Sequence, residues 1–293
     1  MNIEDTKSTK IDTSEVIGME ESILQNIAEC PSSPDSKPED AALRLYLDEC
    51  CGVIAYTGKL LLECGGEVER VEYLMQKIGR SFDHIDQVTP FAILTGIMVT
   101  VSSGSQFATK IVRIYGIQNN LSRLRQISAL ARDLSKHPRS PYAVADELQK
   151  IVEEPRYKPW QTVLFASIGA GGFGFFFYET LPGIAAIFVI GALVQLIGIW
   201  FDNYQINRFL KILCEAFVAT FACQMAARWM PGTHFDKMLL SVLMLLVPGM
   251  TLTNSLRDTV SGNYVSGMSR LTEALLVGVS IAMGSAIALA FIR

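Results

Sequence analysis

The sequence predicts a polytopic α-helical membrane protein in which five transmembrane helices follow a cytosolic α+β domain. Half of the 293 residues are hydrophobic and only 18% are charged, whereas soluble chains carry about a quarter charged residues. The apolar residues concentrate after position 160, and residues 1–40 carry ten acidic and three basic side chains. This charge distribution excludes a nucleic-acid-binding protein, which needs a basic face.

Three regions follow from these shifts in composition. Residues 1–40 are acidic and low in aromatic residues, which predicts a disordered tail. Residues 41–158 form the predicted cytosolic domain, and residues 159–293 form the predicted transmembrane domain. The start of the chain lacks the apolar core of a secretory signal. The six cysteines show no zinc-ligand spacing, so we expect reduced thiols, no metal and no cofactor.

The cytosolic domain is predicted to run in the order αα-βββ-αα. The predicted elements are helices at Ala41–Cys64 and Glu67–Phe82, strands at Ile85–Thr89, Phe91–Val101 and Lys110–Tyr115, and helices at Asn119–Ser135 and Pro141–Glu153. Gly65 and Gly66 end the first helix, because glycine adopts the left-handed conformation of a C-terminal cap. The second helix places Val68, Val71, Leu74, Met75 and Ile78 on one face. Pro90 and the Ser102–Ser105 run are expected to separate the strands.

Five apolar segments follow, and each approaches the ~20 residues that a helix needs to cross ~30 Å of hydrocarbon. The segments are 162–178, 182–200, 211–230, 237–253 and 272–292. Trp160, Trp200 and Trp229 fall at segment ends, where amphipathic rings favour the headgroup level. The inner flanks would carry Arg156, Lys158, Arg208, Lys211, Arg257 and Arg270, against three basic residues outside. This asymmetry predicts a cytosolic N-terminal domain and a C-terminus outside.

Small residues recur in two of these segments. Residues 169–174 match the G-x-G-x-x-G pattern of dinucleotide sites, but they lie inside an apolar span. The next aspartate, Asp202, lies 28 residues past Gly174, too far for that motif. We interpret these glycines as helix-packing residues. A second set at four-residue spacing predicts a packing face for the same chain or for another subunit: Gly278, Ala282, Ala286 and Ala290.

The fourth segment contains the most informative stretch. Pro248 lacks an N–H and leaves the carbonyl of Met244 without its helical partner, and Gly249 loosens the helix further. Polar residues follow within two turns: Thr251, Thr253, Asn254 and Asp258. A broken helix beside polar side chains is typical of a solute or ion site in a transporter. A simple proline kink before an ordinary helix end is the alternative.

The third segment holds further candidates. Glu215 is an intramembrane carboxylate and therefore a functional candidate, although Lys211 one turn earlier offers a simple interfacial ion pair. Arg228 either lines a solute path or extends to the outer face. Nucleophile-elbow, zinc-protease, phosphate-loop and kinase motifs are absent. We therefore expect a transporter subunit rather than an enzyme.

Two blocks of sequence resemble the threonine/serine exporter family. Residues 65–72 resemble its Gly-Ala-Glu-x-x-x-Val-Glu signature, with Gly66 in place of the alanine. A C-terminal block is similar to its Pro-Gly, Asn, Asp and Gly-x-x-Arg pattern: Pro248, Gly249, Asn254, Asp258, Gly262, Gly267 and Arg270. The resemblance covers residues 43–293 and leaves the acidic tail without a counterpart. It implies the larger subunit of a split exporter in the bacterial cytoplasmic membrane, working with a small integral-membrane partner.

The residues and the resemblance together suggest a secondary exporter of small metabolites, driven by the proton gradient. The cargo would be a succinate-like dicarboxylate or threonine and serine. Pro248, Gly249, Thr251 and Asn254 would bind the solute, Asp258 or Glu215 would carry the coupling proton, and Arg270, Arg257 or Arg228 would attract a carboxylate. A membrane-anchored enzyme with catalysis in residues 41–155 and a scaffold for a pore-forming partner are the alternatives.

Overall fold

A computed structural model of the protein describes residues 38–154, 157–204 and 206–292. The chain divides into two compact units, Met1–Tyr46 and Leu47–Arg293, and the contacts described below lie within the second. The predicted disordered tail falls mostly on residues 1–37, which lie outside the described residues. Arg156 and Arg293, two of the basic residues used to predict the orientation of the spans, also lie outside them. The predicted boundary at residues 158 and 159 stays a prediction.

The predicted order of the first seven elements is confirmed. They are α1 Pro38–Glu63, α2 Val68–Gly79, β1 Gln87–Ile93, β2 Gly96–Ser103, β3 Gln106–Arg113, α3 Leu121–Leu134 and α4 Pro141–Glu153. The strands form an antiparallel sheet in the order β1-β2-β3. Val88 of β1 pairs with Val101 of β2, and Val101 pairs with Ala108 of β3. Short hairpins connect the three strands, and strands that are joined by a short hairpin pair in the antiparallel direction.

Side-chain periodicity explains how this domain acquires its core. The five apolar residues predicted for one face of α2 are all buried, as a 3.6-residue period requires. In β2, Ile97, Val99 and Val101 alternate with more exposed residues and are fully or almost fully buried. The apolar face of α2 therefore packs against the apolar face of the sheet, and this contact holds the sheet against the helices.

The prediction that Pro90 separates two strands is wrong. Pro90 lies inside β1, opposite Val99 of β2, and the chain turns instead at residues 94 and 95. β1 is an edge strand, and a proline there can direct its missing N–H away from the partner strand. The predicted strand Phe91–Val101 is consequently two strands joined by a hairpin.

The second half of the chain is helical in its described residues. The helices are α5 Pro159–Phe176, α6 Leu181–Asn203, α7 Arg208–Trp229, α8 Phe235–Leu243, α9 Gly249–Val260 and α10 Tyr264–Ile292. Three of them, α6, α7 and α10, are long and apolar enough to cross a membrane. The first predicted span, α5, has only 18 residues, and the fourth is divided into α8 and α9. The described residues thus confirm three candidate spans and leave the count of five unconfirmed.

Gly174 of the 169–174 motif packs two helices closely together, as the sequence predicts, whereas a Cβ on Gly172 would meet no atom within 4 Å. A Cβ on Gly174 would lie 2.9 Å from Ile187, and a Cβ on Gly191 would lie 2.8 Å from Ala170. Only residues without a side chain let α5 and α6 approach so closely. Their contact continues into an apolar cluster that joins α5, α6, α7 and α8: Ala170, Ile187, Ile190, Val194, Ala219, Cys223, Met238 and Val242.

The small-residue stripe of α10 is exposed in the part of the chain that the structure describes. Gly278, Ala282, Ala286 and Ala290 are exposed, and no atom lies within 4 Å of a Cβ built on Gly278. A different face of α10 meets α7, where a Cβ on Gly284 would lie 2.2 Å from the carbonyl oxygen of Leu213. Contact of the stripe with another subunit stays a prediction.

Candidate functional site

The fourth apolar segment is interrupted rather than kinked. α8 ends at Leu243 and α9 begins at Gly249, with Pro248 at its N-terminal cap. We call the intervening residues, Met244–Pro248, the helix break. The nine residues of α8 rise about 14 Å, which is about half of the ~30 Å hydrocarbon thickness. α8 alone is therefore too short to cross the hydrocarbon layer.

Backbone groups in the helix break lack partners. The amides of Leu245, Leu246 and Val247 donate back to α8, but within the described residues the carbonyls of Met244, Leu245 and Leu246 accept no hydrogen bond. Proline at 248 removes the N–H that would have reached Met244. Unpaired carbonyls at membrane depth are tolerated where they line protein or a wet cavity. The helix break therefore offers three acceptors to a solute or an ion.

A cavity of about 340 Å³ lies where α9 begins. Gly249 and Asn254 line it from α9, together with the charged side chains of Glu67, Arg70 and Arg257. Its volume is at the small end of the ~300–1,000 Å³ typical of ligand sites. The first amides of α9, those of Met250 and Thr251, have no acceptor in the described part of the chain. The N-terminus of α9 is thus suited to an anionic group.

Beside the cavity, α9 and α10 are bound to the loop between α1 and α2. We call this contact the polar joint and define it by Gly65, Gly66, Val68, Asn254, Asp258 and Arg270. The Asn254 side chain donates to the carbonyl oxygen of Gly65 at 3.0 Å. Arg270 donates from Nη2 to the carbonyl oxygen of Gly66 at 2.7 Å, and from Nε to Asp258 Oδ2 at 2.9 Å. Asp258 and Arg270 are 1% and 3% exposed.

Asp258 also completes the N-terminus of α2. Its Oδ1 accepts the backbone N–H of Val68, the first residue of that helix, at 3.1 Å. Glu67, which occupies the cap position, makes no capping hydrogen bond with its own side chain. A carboxylate is stabilised there because the helix dipole is positive at its N-terminus. Asp258 is therefore balanced by a cation on one side and a helix end on the other.

Local sequence explains why the loop presents its carbonyls to α9. Gly65 has a φ of +85°, a conformation that glycine adopts readily, and it reverses the chain after α1. A Cβ there would lie 2.5 Å from Asn119 Oδ1. The tight turn leaves the carbonyl oxygens of Gly65 and Gly66 free to accept from side chains. At the edge of the same contact, Arg257 pairs with Glu67, and Ser261 donates to Glu69.

Of the residues predicted for the site, the structure groups five. Pro248 and Gly249 form the end of the helix break and the start of α9, and Asn254, Asp258 and Arg270 lie in the polar joint. Thr251 is buried on α9 in the turn before Asn254. The assignment of these residues to solute binding or proton coupling stays a prediction.

Glu215 and Arg228 lie elsewhere. Glu215 is 5% exposed and packs against Gly198 of α6, where a Cβ would approach its Oε1 to 2.3 Å. Lys211 Nζ is 4.0 Å from Glu215 Oε1 but 2.7 Å from both oxygens of Asp202, so its main partner is Asp202. Arg228 is exposed in the last turn of α7, which places it some 17 residues, or about 26 Å, along the helix from Lys211.

The loop residues of the polar joint were not predicted as site residues. The sequence analysis used residues 65–72 only to end one helix, begin another and carry a family resemblance. Their contact with the C-terminal block spans about 190 residues of chain. One feature of the sequence could have linked the two regions. Both blocks that carry the family resemblance contain glycine or polar residues at fixed spacing, as expected of two segments that contact each other. Arg70, which donates to Ser128, and Thr253 also line the cavity.

Two comparisons of the sequence with known proteins gave a match. Residues 52–292 match the model of a family described as "Putative threonine/serine exporter". A protein of Mycobacterium tuberculosis named "Probable threonine/serine exporter" is 22% identical over 237 residues, which are 79% of this chain and 44% of that protein. The chain thus spans less than half the length of this relative. No solved structure matches the chain significantly.

The family match includes both the loop after α1 and the block from Pro248 to Arg270, the two parts of the sequence that the polar joint brings together. A membrane setting agrees with the three span-length apolar helices. The chain belongs to the threonine/serine exporter family.

Proposed function

We propose that this chain forms the solute-binding half of a secondary exporter for small amino acids such as threonine and serine. The observation that carries the proposal is the helix break, because its continuation, α9, begins at a cavity lined by charges of both signs. Transporters commonly bind their solute at such interrupted helices. The family match and the name of the mycobacterial relative support the same class of cargo.

The cavity offers complementary groups to a zwitterion. The free amides at the start of α9 and the guanidinium groups of Arg70 and Arg257 suit a carboxylate. Glu67 lies in the same cavity and suits an ammonium group. A dicarboxylate such as succinate would place its second carboxylate in a cavity that also holds Glu67, and like charges at close range are disfavoured. The charge pattern therefore favours an amino acid over a dicarboxylate.

Transport assays with paired variants test this assignment. We expect Glu67→Gln to raise the KM for threonine about tenfold, which is the effect of losing ~1.4 kcal/mol of binding, and to spare succinate. Arg257→Ala should weaken both solutes. Arg208→Ala is the matched control, because Arg208 makes a similar exposed pair with Glu273 away from the cavity. Equal effects of Glu67→Gln on threonine and succinate would contradict recognition of the ammonium group.

We also propose that the exporter needs a second membrane subunit. The chain matches less than half of its mycobacterial relative, so a fused protein has room for a further membrane region. In this arrangement the N-terminal domain is cytosolic, the C-terminus lies outside, and the cavity takes solute from the cytosol. Efflux of threonine, serine and succinate from cells lacking this chain, the partner or both is the test. Equal defects support a joint exporter, and export by the partner alone contradicts it.

A further inference from the structure

A second polar cluster lies at the end of the membrane helices opposite the cavity. Glu179 follows α5, whose 18 residues rise about 27 Å from the cytosolic domain. His234 caps the N-terminus of α8, the helix that leads to the helix break. His234 Nδ1 lies 3.3 Å from Glu179 Oε1. The two residues join the loop after α5 to the outer end of the interrupted helix.

The two oxygens of the Glu179 carboxylate differ in their hydrogen bonding. Oε1 accepts the backbone N–H of Thr180 at 2.9 Å and that of His234 at 3.2 Å, and it also accepts the Thr180 hydroxyl. Oε2 is buried and has no partner among the described residues. The side chain as a whole is 0% exposed. A buried carboxylate oxygen without a donor is costly, so the native structure must maintain it for a reason other than packing alone.

The surrounding backbone holds the carboxylate in place. A Cβ on Gly183 would lie 2.6 Å from Glu179 Cγ and 2.7 Å from Oε1, so only glycine leaves room for the side chain. Tyr178 has a φ of +56°, which is uncommon for a non-glycine residue. Its carbonyl oxygen accepts from Lys237 Nζ of α8 at 3.0 Å. The loop is thus fixed to α8 at two points, Tyr178 and Glu179.

The geometry assigns the hydrogen of the imidazole. A carboxylate only accepts, so Nδ1 of His234 carries the hydrogen that points to Glu179. Nε2 is then an acceptor without a partner among the described residues, and the His234 side chain is 55% exposed. A proton that adds to Nε2 turns the imidazole into an imidazolium that faces a carboxylate. Histidine is the side chain whose charge ordinarily changes between pH 5 and 8.

Other charged groups lie near the pair and contribute to the electrostatic environment of the imidazole. Burial tends to raise the pKa of Glu179, but the hydrogen bonds from Thr180 and His234 outweigh burial and bring the pKa below its usual value. The carboxylate is therefore an anion beside the imidazole at neutral pH. On α8, Lys237 opposes a second positive charge and Asp236 favours one; Arg228, at the end of α7, is exposed. The first turn of α6 carries no charged residue.

We infer that Glu179 and His234 form a proton-binding site on the outer side of the membrane domain. Protonation strengthens the bond between the loop and the N-terminus of α8, and the C-terminus of α8 is the helix break. One short helix therefore connects the proton site to the three free carbonyls. The transport consequence rests on the proposed exporter function and on the proton drive that the sequence analysis expects. Proton binding by the pair rests on neither.

An NMR titration of the imidazole tests the site directly. The chain has three histidines, so ring-labelled histidine gives three NMR signals in the full-length protein in lipid nanodiscs, and His234→Gln assigns one of them. We expect the neutral His234 ring to hold its hydrogen on Nδ1 and to gain its proton at Nε2, because Glu179 accepts from Nδ1, and Glu179→Ala should remove this preference. Asp236→Asn, two residues away on the exposed face, is the control and should keep it. A wild-type ring with its hydrogen on Nε2 overturns the inference.

A transport assay then tests coupling. In reconstituted vesicles, wild-type export should rise as the outer pH falls from 8 to 5, and His234→Gln should lose at least most of this dependence. His234→Lys, which leaves the buried carboxylate intact and supplies a permanent cation, should export at a rate that no longer follows the outer pH. A variant that keeps the full pH response overturns the coupling role. Absence of export by the wild type would instead contradict the proposed function and leave the titration result standing.

Discussion

The polar joint and the helix break both involve α9, yet polar groups are hydrogen-bonded in the first and left without partners in the second. In the polar joint, Asn254, Asp258 and Arg270 each have a partner at 2.7–3.1 Å, and the charged pair is almost fully buried. In the helix break, three consecutive carbonyls have none among the described residues. Met244 and Val247 are 37% and 43% exposed, so the helix break leaves its free acceptors accessible, whereas the buried polar groups of the joint are satisfied.

This difference separates a structural role from a binding role. A satisfied network has little capacity left for a ligand, and it holds the loop after α1 to α9 and α10. An unsatisfied stretch of backbone retains its acceptors for a solute or an ion. The side-chain types alone would not have made this distinction, because the free acceptors of the helix break are backbone carbonyls of the apolar residues Met244, Leu245 and Leu246. The following changes test it, from the largest expected effect on stability to the smallest.

Removing one member of the buried pair should have the largest effect. Arg270→Met leaves Asp258 charged and buried, with only the Val68 amide as partner, and should lower the free energy of unfolding by about 3–5 kcal/mol. Asp258→Asn should act in the same direction. Thermal unfolding followed by circular dichroism measures the loss. The double variant should lose less than the two single losses together; strict additivity would show that the two side chains do not interact.

Asn254→Ala should have an intermediate effect. It leaves the carbonyl oxygen of Gly65 without its donor, which costs about 1–3 kcal/mol. The readout is the unfolding midpoint, together with the rate at which protease cleaves the loop after α1. Thr253→Ala, the exposed neighbour on α9, is the matched control and should change stability by no more than about 0.5 kcal/mol. Equal losses in the two variants would contradict a structural role for Asn254.

Pro248→Ala should separate stability from export. Alanine restores the N–H that Met244 lacks and allows α8 and α9 to join, so stability should hold or rise by up to about 1 kcal/mol. Export should fall at least tenfold in the efflux assay, because the free acceptors are lost. Pro182→Ala, at the start of α6 where no helix is interrupted, is the control. Export at the wild-type rate in Pro248→Ala would remove the helix break from the transport mechanism.

The pair at the edge of the cavity should matter least for stability. Arg257 is 56% exposed and pairs with Glu67 in a solvated setting. Arg257→Ala should therefore lower the free energy of unfolding by at most about 1 kcal/mol, and 0.5 M salt should reduce the difference further. Denaturant unfolding at two salt concentrations is the measurement. A loss comparable to that of Arg270→Met would place Arg257 in the polar joint rather than at its edge.

Much of the fold could be predicted from local patterns. The order of helices and strands, the buried face of α2 and the role of the 169–174 glycines follow from periodicity and composition, which tertiary contacts here reinforce. Context decided where local patterns could not. Pro90 was wrongly predicted to separate two strands, and it lies within β1 because that strand is at the edge of the sheet. The sequence left the partner of the α10 stripe open, and α7 packs against another face of that helix.

The candidate site could be predicted in part. Pro248 and Gly249 identify the helix break because proline has no N–H, a property that acts within one turn of helix. The hydrogen bonds of Asp258 and Arg270 could not be predicted from the sequence. Their partners are a main-chain amide and a main-chain carbonyl about 190 to 200 residues earlier. Glu179 and His234 were missed for the same reason, since 55 residues separate them.

The sequence by itself therefore determined that the chain has a membrane half, where its fourth segment is interrupted, and which family signatures it carries, because hydropathy and the missing proline N–H are local properties. Only the tertiary structure decided which polar side chains are satisfied and which backbone groups remain free. Hydrogen bonding depends on atoms that meet within about 3 Å, and no local pattern specifies which distant residues will fill that space.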